Sequence, residues 1–272
     1  MKKVLITGNS GYIGSHLSKM LEDSYDVYGL DIMMPQTDKL KDWYNYDIRS
    51  SFTIDIEFDA VIHLAALVNV SESEQYPTTY YDTNLIGTMN VLNSVKTKNF
   101  IFASTGAAAE CKSAYAITKR AAEHVIEEMA LVYTIFRFYN VIGNDGFAPT
   151  NPDGLMYNLL KAKETGEITI FGNDYSTVDG TCVRDYVHVN EICNALKQAI
   201  EKPSNKIECL GHGVGYTVNE IVDTFATVNN IKIKTKIGPR RKGDIESCVL
   251  PTVSPLSSYM RKDYTLEQLL KV

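Results

Sequence analysis

The chain has no CxxC pair, no apolar run of membrane-spanning length and no excess of positive charge. Its five cysteines, Cys111, Cys182, Cys193, Cys209 and Cys248, are odd in number and widely spaced. That spacing argues against a disulfide framework or a zinc site and suits a reducing compartment. Every apolar run falls well short of the ~20 residues a spanning helix needs. The opening MKKVLITGNSG carries two lysines, but its apolar stretch breaks at Gly8, too early for a signal-peptide core. The expectation is a protein with no membrane partner, in the cytoplasm. A net charge of −6 leaves no basic footprint for nucleic acid. An anionic small molecule would therefore have to be gripped by a few placed arginines. There is also no internal repeat, low-complexity tract or block of like charge.

What is present is alternation. The 272 residues suffice for one large α/β domain, or a large and a small one sharing a cleft. Val4–Thr7, Val27–Leu30, Ala60–Leu64, Phe100–Ala103 and Leu131–Phe138 read as strands. Between them, Ile13–Leu21, Pro77–Val95 and Tyr115–Met129 carry helical spacing of apolar positions, with Pro77 suited to a first turn. Strands alternating with helices imply crossover units and a parallel sheet covered on both faces. Further on, Ile168–Phe171, Cys182–Val189 and the half-exposed Ile231–Ile237 read as strands. Asn190–Ile200 and Val218–Val228 read as helices opening near the capping residues Asn190 and Thr217.

Two patterns carry chemistry. Gly8-Asn9-Ser10-Gly11-Tyr12-Ile13-Gly14 follows the first strand and opens the first helix. Glycines there permit a tight turn and let backbone amides approach a pyrophosphate at the positive end of the helix. Alone, three spaced glycines also suit a plain turn, but strand, helix and the acid Asp31 at the end of the next strand agree on a dinucleotide site. The Asp31 carboxylate can accept from both ribose hydroxyls and would repel a 2′-phosphate, which favours NAD over NADP. The second pattern is Tyr115-Ala116-Ile117-Thr118-Lys119, downstream of Ser104-Thr105 at a strand end. Residues i and i+4 share a helix face, so the Lys119 ammonium comes near the Tyr115 phenol. With a cationic nicotinamide ring, it would draw the phenol pKa from about 10 toward neutrality and make Tyr115 a general base. His63, inside an apolar strand, reads as a core histidine.

With these residues the chain resembles the extended short-chain dehydrogenase/reductases, and within them the UDP-glucose (UDP-galactose) 4-epimerases. The likeness runs nearly end to end: VLITGNSGYIGSHL, Asp47-Ile48-Arg49, VIHLAA, YYDTNLIGT, FIFAST, YAITK, Phe138-Tyr139-Asn140, IFGNDYSTVDGTCVRDYVHV and PRRKGD. The resemblance implies a Rossmann-type doubly wound parallel sheet with a smaller α/β substrate-binding domain. An NAD-binding part would span 1–141, with strand and helix returns from about 185–212, and a sugar-nucleotide part 142–272. It implies that Gly8, Gly11, Tyr12, Ile13 and Gly14 hold the NAD pyrophosphate and Asp31 the adenosine ribose, with Asp47 and Ile48 beside the adenine. Ala65, Ala66, Asn84, Tyr115, Lys119 and Phe138 would line the remainder. Thr105 would bridge the sugar O4 and the tyrosine, making Thr105, Tyr115 and Lys119 the catalytic set. Asn140 would touch the substrate, Phe171 the uracil, Arg184 and Arg241 the diphosphate, and Asp244 the uridine ribose. A homodimer through the helices at 77–95 and 115–129 is implied as well.

Some positions depart from the family pattern. The segment from Thr105 to Tyr115 is short, the stretch from Asp31 to Asp59 is compressed, and Gly154 replaces a substrate-contacting asparagine. Cys248 stands where the family limits pocket size, so a small residue there implies room for an N-acetyl group and activity on UDP-GlcNAc beside UDP-glucose. Three rivals remain at this level. A 4,6-dehydratase needs an acid–base pair next to the hydroxyl residue, yet Thr105 is followed by Gly106 and Ala107, with no carboxylate before Glu110. A sugar-nucleotide reductase would consume NAD(P)H. A non-catalytic NAD-binding sensor would have no need of the tyrosine and lysine.

Overall fold

The computed structural model describes residues 1–143, 146–251, 257–260 and 264–272. The first half runs β1 (Lys3–Thr7), α1 (Tyr12–Leu21), β2 (Asp26–Asp31), β3 (Asp42–Asn45), β4 (Ile54–Phe58), β5 (Ala60–His63), α2 (Val70–Gln75) and α3 (Pro77–Tyr80). After a π-helical turn over Tyr81–Ile86 come α4 (Gly87–Ser94), β6 (Val95–Thr97), β7 (Phe100–Thr105), α5 (Ala114–Met129) and β8 (Tyr133–Phe138). The second half adds β9 (Asn140–Ile142), α6 (Leu155–Thr165), β10 (Glu167–Phe171), β11 (Val183–His188), α7 (Val189–Glu201) and β12 (Ile207–Leu210). It closes with β13 (Gly215–Thr217), α8 (Val218–Val228), β14 (Lys234–Gly238), β15 (Ser247–Cys248) and α9 (Leu266–Leu270).

Seven strands form one sheet in the order β12-β8-β7-β5-β1-β2-β3, every neighbouring pair parallel. The chain winds outward from β1 through β2 to β3, then returns to β5 and winds the other way. That reversal opens a crevice beyond the carboxyl ends of β1 and β5, the place where such sheets bind ligands. The apolar runs are the reason for the layering: Val4, Leu5 and Ile6 of β1 and Val61 and Ile62 of β5 are wholly buried, as strands covered on both faces must be. One apolar layer packs α1 and α7 on the sheet, and the opposite layer packs α4 and α5. A third core joins α6, α8 and α9 to β10 and β11. β11 pairs with β9, β13 and β15, while β10 pairs with β14.

Four local readings are corrected. Pro77–Val95 is not one helix: it passes through the π turn, where Asn84 is buried, and Val95 already belongs to β6. Asn84 turns its side chain across to Leu67, accepting from its N–H at 2.8 Å and donating to its carbonyl at 3.0 Å. A bond to a residue 17 positions away leaves no trace in local periodicity. α7 begins at Val189, capped by His188 rather than near Asn190, with Glu191 closing the reciprocal bond to the His188 N–H at 2.9 Å. Ile231 and Ile233 pack into the third core ahead of β14, which starts only at Lys234 and leaves Ile237 half exposed. The compressed stretch after Asp31 holds two strands the periodicity did not suggest, β3 and β4.

Candidate active site

A cavity of about 510 Å³ opens over the carboxyl ends of β1, β5 and β7 and runs under the second half of the chain. Its floor on one side is the glycine turn. Gly8 has φ of +74°, a conformation that costs a side-chain-bearing residue energy. A Cβ on Gly14 would fall 2.1 Å from the Gly8 carbonyl oxygen. Gly11 sits at the N-cap of α1 and offers no capping side chain. The first turn of α1, with Gly11, Tyr12, Ile13 and Gly14, lines the cavity, presenting the positive helix end that suits a pyrophosphate. Asp31, at the end of β2, accepts from the Ser10 N–H at 3.0 Å and from the Met33 N–H at 3.0 Å. Its carboxylate is thereby fixed against the turn, and the residues present fit a dinucleotide.

The reactive end lies between β7 and α5. Ser113 caps α5 through the Ala116 N–H, so Tyr115 enters the cavity from the first turn. Thr105 ends β7, and its hydroxyl lies where it favours the charged form of the Tyr115 phenol. Burial pushes that phenol up to about 12, with Thr105 pulling part of the way back. The expectation of a phenol drawn toward neutrality by Lys119 is therefore not met within the chain itself. The reason is where the lysine goes. Its Nζ donates to the Ala103 carbonyl at 2.7 Å and lies 4.6 Å from the Phe102 ring centre. Burial lowers its pKa to about 7, against an opposing pull from Glu123. At neutral pH the amine is only partly charged.

Glu123, one turn beyond Lys119, is fully buried. It accepts from Ser104 Oγ at 2.5 Å, from Arg137 at 2.8 and 2.6 Å and from Arg120 at 3.0 Å. Sequence reading missed it, although an acid at i+4 from Lys119 on the same helix face was a usable signal. The network ties the end of β7, which carries Thr105 and the Ala103 carbonyl, to α5 and β8.

At the far end Arg241 donates to Asp244 at 2.8 Å and to the Asp153 carbonyl at 2.9 Å, its guanidinium 5.0 Å from the Phe171 ring centre. Arg184 donates to the Val183 and Glu246 carbonyls. The carboxylate of its neighbour Asp185 is taken by the N–H groups of His212, Gly213 and Leu250.

Of the residues named from sequence, Gly8, Gly11, Tyr12, Ile13, Gly14, Ala66, Thr105, Tyr115, Lys119, Phe138, Asn140, Phe171, Arg184, Arg241, Asp244 and Cys248 all line this one cavity. Asp31, Asp47, Ile48, Ala65 and Asn84 do not. Asp47 is engaged by Arg49 at 2.6 Å, which holds its carboxyl below the usual range. Ile48 is buried against Gly87, and the Ala65 N–H donates to Thr7 Oγ1 at 3.3 Å. Asn84 supports the wall from behind, reaching Thr118 of α5 at 3.3 Å. His63 is wholly buried between Thr7 Oγ1 at 2.6 Å and Thr88 Oγ1 at 3.0 Å, its pKa pushed down to about 3. Val68–Ser71, Glu110 and Lys112 also line the cavity and were not anticipated.

The pattern of the NAD dependent epimerase/dehydratase family matches residues 4–210. A UDP-glucose 4-epimerase of Haemophilus influenzae is 31% identical over 297 aligned positions, covering 90% of this chain and 88% of that protein. The crystal structure of UDP-glucose 4-epimerase from Bifidobacterium longum in complex with NAD+ and UDP superposes with a TM-score of 0.83 at 26% identity, over 98% of this chain and 96% of the other. The UDP-Glc/GlcNAc 4-epimerase of Campylobacter jejuni gives 0.77 at 25% identity, over 100% and 97%.

Proposed function

Because the chain belongs to the NAD-dependent epimerase/dehydratase family, we infer that it interconverts UDP-hexoses at C4, as a UDP-sugar 4-epimerase working with NAD. One observation carries the reading: a single cavity is lined by the glycine turn, by Thr105 and Tyr115, and by Arg184, Arg241 and Asp244. A dinucleotide, a hexose and a nucleoside diphosphate each have chemistry to meet there, in that order.

Bound NAD supplies a reversible hydride acceptor and, through its cationic ring, positive charge beside the phenol. The chain supplies the rest. We assign Gly8, Gly11, Tyr12, Ile13 and Gly14 to the pyrophosphate and Asp31 to the adenosine ribose, with Asp47 and Ile48 further out toward the adenine. Tyr115 takes the proton from the sugar 4-hydroxyl and later returns it to O4, while Thr105 holds that oxygen by its hydroxyl. The 4-keto hexose has to turn over between the two transfers. A firm grip on the diphosphate by Arg184 and Arg241 beside a loose grip on the hexose meets that need. Asp244, held by Arg241, suits a ribose; Phe171 suits the uracil, and Asn140 the sugar side. Cys248 leaves the sugar compartment open, so UDP-GlcNAc joins UDP-glucose as substrate.

Tyr115→Phe tests the assignment. Conversion of UDP-galactose should fall by at least ~10²-fold, the scale of a lost general base, with NAD content unchanged. A variant with full turnover would overturn it. Sustained consumption of NADH by the wild type would instead identify a reductase.

Tyr81, Ile86, Ile117 and Met129 are exposed apolar side chains on the π turn and α5, and we propose that a homodimer covers them. Sedimentation as a monomer at micromolar concentration would refute this. The free thiols suit a reducing interior, and the cytoplasm is the proposed location. No helix among the described residues is long and apolar enough to cross a membrane. The division into a cofactor part, 1–141 with returns from about 185–212, and a sugar-nucleotide part, 142–272, is retained as our proposal.

A further inference from the structure

α2 lies across the mouth of the cavity, between the nucleotide-gripping segment and the helix that carries the base. It starts from a fixed point. Asn84 holds both backbone groups of Leu67, and the Tyr80 hydroxyl accepts from the Asn69 N–H at 3.1 Å while donating to Glu72 at 2.8 Å. Val68, Asn69, Val70 and Ser71 then form part of the cavity wall. At the far end Glu74 points two ways. Oε1 accepts the N–H of Ala114, the first residue of α5 and the neighbour of Tyr115, at 3.0 Å. Oε2 lies 3.7 Å from Lys242 Nζ, within the segment that presents Arg241 and Asp244. The same segment rests directly on α2: a Cβ at Gly243 would meet Val70 Cγ1 at 3.0 Å and Glu74 Cγ at 3.3 Å.

We propose that Glu74 is a positioning residue that couples the grip on the nucleotide diphosphate to the placement of Tyr115. Residues 106–113 hold only one turn of 3-10 helix and a left-handed Cys111, and the Ala114 N–H that opens α5 finds its acceptor in α2. A carboxylate on a half-buried first-turn amide both satisfies that donor and suits the positive end of the 16-residue helix. When Arg241 and Asp244 close on a nucleotide, Lys242 and Gly243 are pressed toward α2. Glu74 passes that placement to the first turn of α5. The inference rests on the epimerase reading above, and its test separates the two.

The variants are Glu74→Ala, Glu74→Gln and Lys242→Met, each measured for UDP affinity by calorimetry and for kcat and KM on UDP-galactose. Glu74→Ala loses both contacts: kcat should fall about tenfold, the scale of a lost first-turn helix acceptor, and UDP should bind several-fold more weakly. Glu74→Gln keeps an acceptor for Ala114 and loses only the ion pair. With Lys242→Met it should weaken UDP binding about twofold to fivefold, the range for an exposed pair, with kcat within about twofold of wild type. Combining the last two changes should cost no more than either alone. A Glu74→Ala protein that melts earlier but keeps wild-type kcat and UDP affinity overturns the proposal. So does a Glu74→Gln protein whose kcat drops as far as that of Glu74→Ala. If Glu74→Ala does not fold, Glu74→Gln and Lys242→Met still decide it through the split between affinity and kcat. An inactive wild type that nonetheless binds UDP would defeat the epimerase reading instead.

Discussion

Replacing Lys119 by methionine should make the protein more stable while removing its activity. The side chain is 3% exposed, and burial lowers its pKa from 10.5 to about 7. An amine with a folded pKa below its unfolded value binds fewer protons in the native state. Its charge therefore costs stability most below pH 7, and the cost fades as pH rises toward 10.5. A displacement of that size corresponds to about 5 kcal/mol as an upper bound. Methionine has similar length and no charge to desolvate. It leaves the Ala103 carbonyl without its 2.7 Å donor, which gives back about 1 kcal/mol, and Glu123 loses a distant attraction. A net gain of about 2–3 kcal/mol at pH 7 is expected on this balance. The wild type should then recover about 2 kcal/mol of the difference between pH 7 and pH 9, where its folded amine is already neutral and the unfolded one is not. Buried thiols and phenols titrate in both proteins and largely cancel in the comparison. The chain has one tryptophan, Trp43, so urea unfolding of cofactor-stripped protein followed by its fluorescence gives the two curves at each pH. Methionine destabilising the protein at pH 7, or a difference that does not change between pH 7 and 9, would refute the electrostatic account of this site.

Gly14→Ala should abolish stable retention of NAD, with affinity down by at least ~10²-fold, because the new methyl has only the Gly8 carbonyl, 2.1 Å away, to occupy. The absorbance ratio of the purified protein and a titration with NAD would check it, and ordinary retention would mean the turn is not the cofactor cradle. Cys248→Tyr should remove turnover of UDP-GlcNAc while leaving that of UDP-galactose within a few-fold, since a ring would fill space that the half-buried thiol leaves open. Measured as the ratio of kcat/KM values, an unchanged preference would show that the pocket is sized elsewhere.

The parts of the fold that were legible in the sequence are those set by neighbours along the chain. Val4–Thr7 and Ala60–His63 are strands because they are short apolar runs ending at turn residues, and the sheet buries both. Thr217 was readable as a cap because its partner Glu220 lies three residues on. The glycine turn and the Tyr115–Lys119 spacing were legible for the same reason. What failed was governed by distant residues. The π turn exists where Asn84 reaches back to Leu67, and α7 is capped by a histidine, a residue whose capping role composition does not suggest. β3 is a four-residue edge strand, too short for alternation to show, with Tyr44 packed on the second core and its register set by pairing with β2.

The lysine shows most clearly where local spacing stops. A separation of four residues does put Lys119 and Tyr115 on one helix face, but a face is shared with whatever packs against it. Here that is the end of β7, whose Ala103 carbonyl takes the amine. Among the described residues, the Thr105 hydroxyl is the group that favours the phenol's charged form. Both groups are therefore shifted toward neutrality by the same burial: Tyr115 stays protonated and Lys119 loses its proton near pH 7. Neither can be charged cheaply alone, yet as an oppositely charged pair each lowers the other's cost. Charge in this pocket should thus come in balanced pairs. A base that ionises only when a cation is beside it cannot abstract protons indiscriminately from an open cleft.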